Sequence, residues 1–183
     1  MKSLVEYLAK IQDARKDKGK RHELLPTLVL IIIAMLSGYT GLRAMARFGK
    51  NHRETLKEHI PLPRGKTPSC QTLQRIIKNL DVEEVIKSFN DWMEQYQISE
   101  QIAIDGESIR NTLTNVGDSE QNYVSLVSFF GQQSHLILKV ELLENSKESE
   151  IKTVQKMLKE LKIDKAVFRL DALRCQKEDS IER

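Results

Sequence analysis

The sequence predicts an α+β chain, an all-helical first half followed by an α/β second half. Three observations carry this reading. Apolar residues recur at helical spacing from Leu4 to Tyr96. At Ile98 that period gives way to short apolar runs rich in β-formers, separated by turn residues. Charge divides at about the same place: residues 1–100 hold 17 Lys and Arg against 12 Asp and Glu, and residues 101–183 hold 12 against 14. The 183 residues therefore read as two domains, 1–97 and 98–183.

The first half is justified helix by helix. Leu4, Leu8 and Ile11 share one face of a short opening helix, and the polar stretch from Asp13 to His22 lacks apolar spacing and reads as an exposed loop. Leu24 to Leu36 is apolar on every face, as in a central helix surrounded by others, with Pro26 in its first turn and Gly38 and Gly41 after its end. Leu42 to Phe48 forms the next helix, which Gly49 is expected to break, and Arg53 to His59 another. Pro61, Pro63 and Gly65 force a loop. Ser69 then caps a helix whose buried face is Leu73, Ile76, Ile77 and Leu80. Asp81 and Glu84 resemble a capping box before the broad stripe of Val82, Val85, Ile86, Phe89, Trp92, Met93 and Tyr96.

In the second half, Ile102-Ala103-Ile104 is a short strand ending at Asp105-Gly106. Val124 to Phe130 and Leu136 to Leu142 are strands of a hairpin through Gly131-Gln132-Gln133-Ser134. Ile151, Val154, Leu158 and Leu161 trace a helix, and Ala166 to Leu170 is a strand running into Asp171.

Composition removes several classes. With 40% hydrophobic residues, 30% charged residues, 8 Gly and 4 Pro, the chain is neither collagen-like nor wholly disordered. Cys70 and Cys175 are isolated, which argues against a disulfide scaffold or a Cys-rich zinc site and suits a reducing cytoplasm. The apolar run at 24–36 falls short of the roughly 18–20 residues that cross a bilayer, so no membrane partner is expected. Few aromatic residues, 5% of the chain, disfavour a stacking platform for single strands.

Two sets of residues could carry chemistry. Asp105 and Asp171 each follow a short apolar strand. If those strands are parallel neighbours, both acids emerge at one edge of the sheet, where paired carboxylates can hold Mg²⁺. The bland alternative is a turn residue or a helix cap. The second set is basic: Arg43, Arg47, Lys50, Arg53, Arg64 and Lys66, with Lys57, lie in a segment whose only acids are Glu54 and Glu58. Such a cluster suits phosphate contacts on duplex DNA, the alternative being a solvated helix surface. The helices at 69–80 and 82–96 could mimic a helix-turn-helix, though an ordinary helical hairpin with solvated charges explains this pair better.

The ordered motifs resemble those of one family. They are Gly19-Lys20-Arg21-His22-Glu23-Leu24-Leu25, Phe48-Gly49-Lys50, Leu62-Pro63-x-Gly65, Pro68-Ser69-x-x-Thr72, Leu80-Asp81, Ile102-Ala103-Ile104-Asp105-Gly106, Val124 to Ser128, Lys147-x-x-Glu150-Ile151 and Asp171-Ala172-x-x-Cys175-Gln176. Together they resemble the DDE-type insertion-sequence transposases of the H-repeat-associated family. That resemblance implies a helical N-terminal domain followed by an incomplete ribonuclease-H-like domain. It implies Asp105 and Asp171 as the first two acids of a Mg²⁺ (or Mn²⁺) triad. It also implies strand cleavage and transfer at transposon ends in double-stranded DNA, with a second copy or a full-length transposase as further partner and a cytoplasmic location. Three features depart from the family. Glu107 stands where Lys is usual, Ser69-Cys70-Gln71-Thr72 lacks the usual Asp, and Arg174 replaces a small residue. No residue after Asp171 is placed as the third acid, so the resemblance implies a truncated transposase with little catalysis of its own. The alternative is a non-catalytic DNA-binding or regulatory transposase remnant.

Overall fold

The computed structural model describes residues 1–16, 20–96, 98, 100–109, 124–144, 150–160 and 166–169. Seven α-helices and one four-stranded sheet form a mixed α/β chain among them. Two compact units result, Lys2–Ser88 and Phe89 onward, with the helix at Val82–Glu94 contributing to both.

The helical unit is built around α2 (Leu24–Leu36), with α1 (Leu4–Leu8), α3 (Leu42–Asn51), α4 (Arg53–His59), α5 (Cys70–Lys78) and the start of α6 (Val82–Glu94). As its uniform apolarity demands, α2 serves two cores. Leu30, Ile31 and Ala34 pack with Met45, Phe48, Leu56, Ile60 and Leu73. Leu24 and Leu28 pack with Leu8, Ile11 and Ile76. Only the last turn escapes, where Met35 and Leu36 are exposed. The caps are those expected: Ser69 Oγ accepts from Thr72 N at 3.3 Å, and Asp81 Oδ1 accepts from Glu83 N at 2.9 Å and Glu84 N at 3.3 Å. Glu84 does not close a capping box. Its Oε2 instead accepts from Gln12 N at 3.0 Å and ties the end of the first turn region to α6.

Two local expectations are corrected. Gly49 does not break α3, which continues to Asn51. It lies on the buried face with Met45 and Phe48, where a side chain would press tightly on Thr67 and Leu30. The described part of the 13–22 stretch is not simply an exposed loop. Arg15 donates to both oxygens of Asp13 at 2.8 and 2.6 Å and to the His22 carbonyl at 2.8 Å, and this hydrogen-bonded guanidinium holds the Asp13 carboxyl below its ordinary range. His22 itself is buried, which pushes its imidazole pKa down, with Arg21 and Arg15 adding to the effect.

The second unit holds β1 (Gln101–Ser108), β2 (Val124–Gly131), β3 (Ile137–Glu144), α7 (Glu150–Glu160) and β4 (Val167–Arg169). The strand order is β3-β2-β1-β4. β1, β2 and β3 form an antiparallel meander, and β4 returns parallel to β1 on its other side. Ile102, Ile104, Val127 and Phe129 face one core with Met93 of α6 and Val154 and Met157 of α7. Ion pairs at the rim join β3 to α7: Lys139 to Glu160 at 2.7 Å and Lys156 to Glu141 at 3.0 Å.

Asn90 of α6 reaches the backbone of β3. Its Nδ2 donates to the Val140 carbonyl at 2.8 Å, and its Oδ1 accepts from Val140 N at 2.9 Å. One side-chain amide thus satisfies a peptide pair on an edge strand as a neighbouring strand would, which also blunts that edge. Asn90→Ala leaves both groups of a buried residue without these bonds. An expected loss of about 1–3 kcal/mol follows, read from the urea midpoint.

Candidate functional site

Asp105 lies within β1 rather than at its end. The strand continues through Gly106, Glu107 and Ser108 because β2 remains in register beside it, with Gly106 opposite Val127 and Ser108 opposite Ser125. Alternation then sorts the residues by face. Ile102 and Ile104 point into the core. Ala103, Asp105 and Glu107 belong to the other face, where Asp105 and Glu107 are exposed. Asp105 is opposite Ser128, and its Oδ1 accepts from Gly106 N at 2.9 Å.

β4 brings the second sequence-predicted segment alongside. Its parallel register pairs Gln101 with Val167, Ile102 with Phe168 and Ala103 with Arg169. Asp105 follows Ala103 by two residues, and Asp171 follows Arg169 by two in the sequence. Asp171 itself lies outside the described residues, as do Arg174 and Cys175. Among the described residues no three His, Cys, Asp or Glu side chains are gathered as metal ligands.

The basic set forms a second surface. Arg43, Arg47 and Lys50 stand at i, i+4 and i+7 of α3, all exposed and opposite the buried Met45, Phe48 and Gly49. Arg64 and Lys66 are far off in sequence yet belong beside this helix. Thr67 packs so closely on Gly49 that an added Cβ there would lie 3.3 Å from Thr67 Cβ and 3.4 Å from Leu30 Cδ1. The turn carrying the two cations is sharp, with Arg64 at φ 55° and Gly65 at φ 63°, both left-handed. Arg53 differs from the others. Its Nη2 contacts Glu54 Oε1 at 2.9 Å, and Lys57 pairs with the same carboxylate. Those hydrogen bonds hold the Glu54 carboxyl below its usual range. Among the described residues Arg43, Arg47, Lys50, Arg64 and Lys66 have no ion-pair partner. The docking of the loop on Gly49 was missed in the sequence. Its signal was a glycine in phase with the apolar positions of an otherwise regular helix.

The sequence is similar to that of several known proteins. Residues 5–93 match the family model described as DDE_Tnp_1-associated. Over 181 residues, 97% of this chain, the sequence is 28% identical to "Putative transposase YncI" of Escherichia coli. It is 28% identical to "H repeat-associated putative transposase YbfD" and 26% to "H repeat-associated putative transposase YhhI" of the same organism, again over 97% of the chain. Over nearly its whole length the chain is thus similar to proteins named as H repeat-associated putative transposases. It spans 71% of that YncI protein, 70% of YbfD and 47% of YhhI, and 45% of the YncI protein of a second Escherichia coli strain. No solved structure matches the chain. No described helix is long and apolar enough to cross a membrane.

Proposed function

We propose that this chain carries the DNA-binding part and the first two metal-binding acids of a DDE-type transposase. The observation that carries the reading is the parallel pairing of β1 with β4, with Ala103 opposite Arg169 and one aspartate two residues beyond each in the sequence. Sheet order β3-β2-β1-β4, with α7 between β3 and β4, supports a ribonuclease-H-like reading of the second unit. Asp105 offers an exposed carboxylate on the face away from the core. That donor fits Mg²⁺ or Mn²⁺, hard cations that take oxygen ligands and retain waters. Bound there, such an ion supplies Lewis-acid activation and charge neutralisation for attack on a phosphodiester. Asp105 and Asp171 hold the ion, and the exposed cations of the helical unit hold the duplex by its phosphates. Cleavage and transfer of transposon ends is the reaction proposed for the complete transposase.

Titration with Mn²⁺ tests the metal assignment directly. Asp105→Asn and Asp171→Asn should each weaken Mn²⁺ binding by at least about 10-fold, since removing a ligand costs no less than removing its outer-shell support. Glu107→Gln should have the smaller effect. Affinity unchanged by both Asp substitutions would overturn the assignment.

A further inference from the structure

Resting on the DNA-binding reading above, we propose that α3 is a helix that reads base edges in the major groove, and that the Arg64–Lys66 turn grips the adjoining phosphates. The juxtaposition, not the charge count, points to this division.

α2 is the scaffold, buried along most of its length and packed against α3. The two are joined by Ser37–Gly41, in which Gly38 has φ 81° and Gly41 φ 87°. Tyr39 from this turn packs on Phe48 of α3 with ring centroids 5.0 Å apart, so the turn is fixed to the helix it introduces. A helix, a short glycine-bearing turn and a second helix with one exposed face is the arrangement that delivers a helix to the major groove. The exposed row from Arg43 to Lys50 spans about 10 Å of helix rise, which matches about three base-pair steps. No acid interrupts α3.

The two arginines of the row can each address guanine O6 and N7 in bidentate fashion through a rigid planar fork, which the flexible Lys50 lacks. Arg64 lies in the short 3-10 turn Pro63–Gly65 and Lys66 directly follows it, both outside any α-helix and anchored to the flank of α3 through Thr67 and Gly49. From there they meet a backbone more readily than a groove floor. α5 and α6 provide no comparable row. On α5 the cations are only the last-turn pair Arg75 and Lys78, and α6 opens with Glu83 and Glu84.

The test uses the whole chain and a randomised duplex pool. Rounds of selection yield a preferred duplex, and fluorescence anisotropy then compares it with a scrambled duplex of equal composition across a salt series. Arg43→Ala and Arg47→Ala should cut discrimination between the two duplexes by roughly 5- to 100-fold, and Arg47→Gln should shift which base is preferred. Arg64→Ala and Lys66→Ala should weaken both duplexes alike and lower the salt slope by about 1 each. Equal weakening of both duplexes by the α3 variants, or a pool that yields no preferred sequence, would overturn groove reading while leaving DNA binding intact. Absence of salt-dependent binding to either duplex would overturn the DNA-binding reading itself, and this inference with it.

Discussion

Phe129→Ala is expected to cost the sheet-bearing unit about 3–5 kcal/mol, the usual range for emptying a fully enclosed phenylalanine site. Phe129 has no exposed surface and sits in the second strand of a four-stranded sheet. It is opposite Ile104 on β1 and Lys139 on β3, and its ring lies 6.1 Å from that of Phe168 on β4. A single side chain thus links β2 to β4 across the strand that bears Asp105. Its loss should leave a cavity and also loosen the β1–β4 alignment on which the metal proposal depends. Trp92, the one tryptophan of the chain, packs against the same core and reports unfolding by fluorescence. The neighbouring Phe130→Ala is the internal control. Phe130 points to the other face and is 36% exposed, so its removal should cost less than about 1.5 kcal/mol. Because a one-residue slip exchanges the faces of a strand, equal costs at 129 and 130 would contradict the register.

The parts of this architecture legible in the sequence are those encoded by neighbours. The stripe through Phe89, Trp92 and Met93, the caps at Ser69 and Asp81, and the hairpin after Phe130 all rest on residues within a few positions of one another. The charged row of α3 is equally local. Missed features depend on partners distant in the chain. Asp105 looked like the end of a strand because Gly106 follows it, but pairing with Val127 and Leu126 carries β1 onward. Gly49 looked like a helix breaker because nothing nearby reveals Thr67 pressing on it. Arg15 looked like a solvated loop residue, yet the His22 carbonyl and Asp13 organise it. Asn90 lies in a helix with no local cue that its amide serves β3, 50 residues away. The candidate acids were legible through their position after apolar runs, and the parallel pairing of their strands was an inference that required the fold.

Gly131→Ala should be nearly as damaging as a core truncation, although it adds only one methyl group. At the end of β2 the glycine lies against the Glu100 carboxylate: an added Cβ would overlap Glu100 Oε1 and sit 2.9 Å from its Cδ. That carboxylate cannot move freely. Oε2 accepts from Gln133 N and from Ser134 N at 3.0 Å, and Oε1 accepts from Ser134 Oγ, so one buried anion organises the whole β2–β3 turn. The substitution forces either the turn or the carboxylate aside, at an expected cost of about 1–3 kcal/mol. The Ser134 hydroxyl, and then the two backbone N–H groups, outweigh burial and hold the Glu100 pKa below its ordinary value of 4.5. The sign of the pH effect follows. With the folded pKa depressed, the contribution is fully present above the unfolded value and is lost as pH falls through the folded one. Glu100→Gln should therefore be less stable than the parent near neutrality, with the difference shrinking below about pH 4.5 as the parent loses the same charge. Urea midpoints at pH 7 and across the acid range measure this directly. A double-mutant cycle separates the two causes. If the methyl group acts by displacing the carboxylate, Glu100→Ala vacates the space it needs, and the combined variant should lose clearly less than the sum of the single losses. Strict additivity would mean that Gly131 is required for some reason other than the anion beside it.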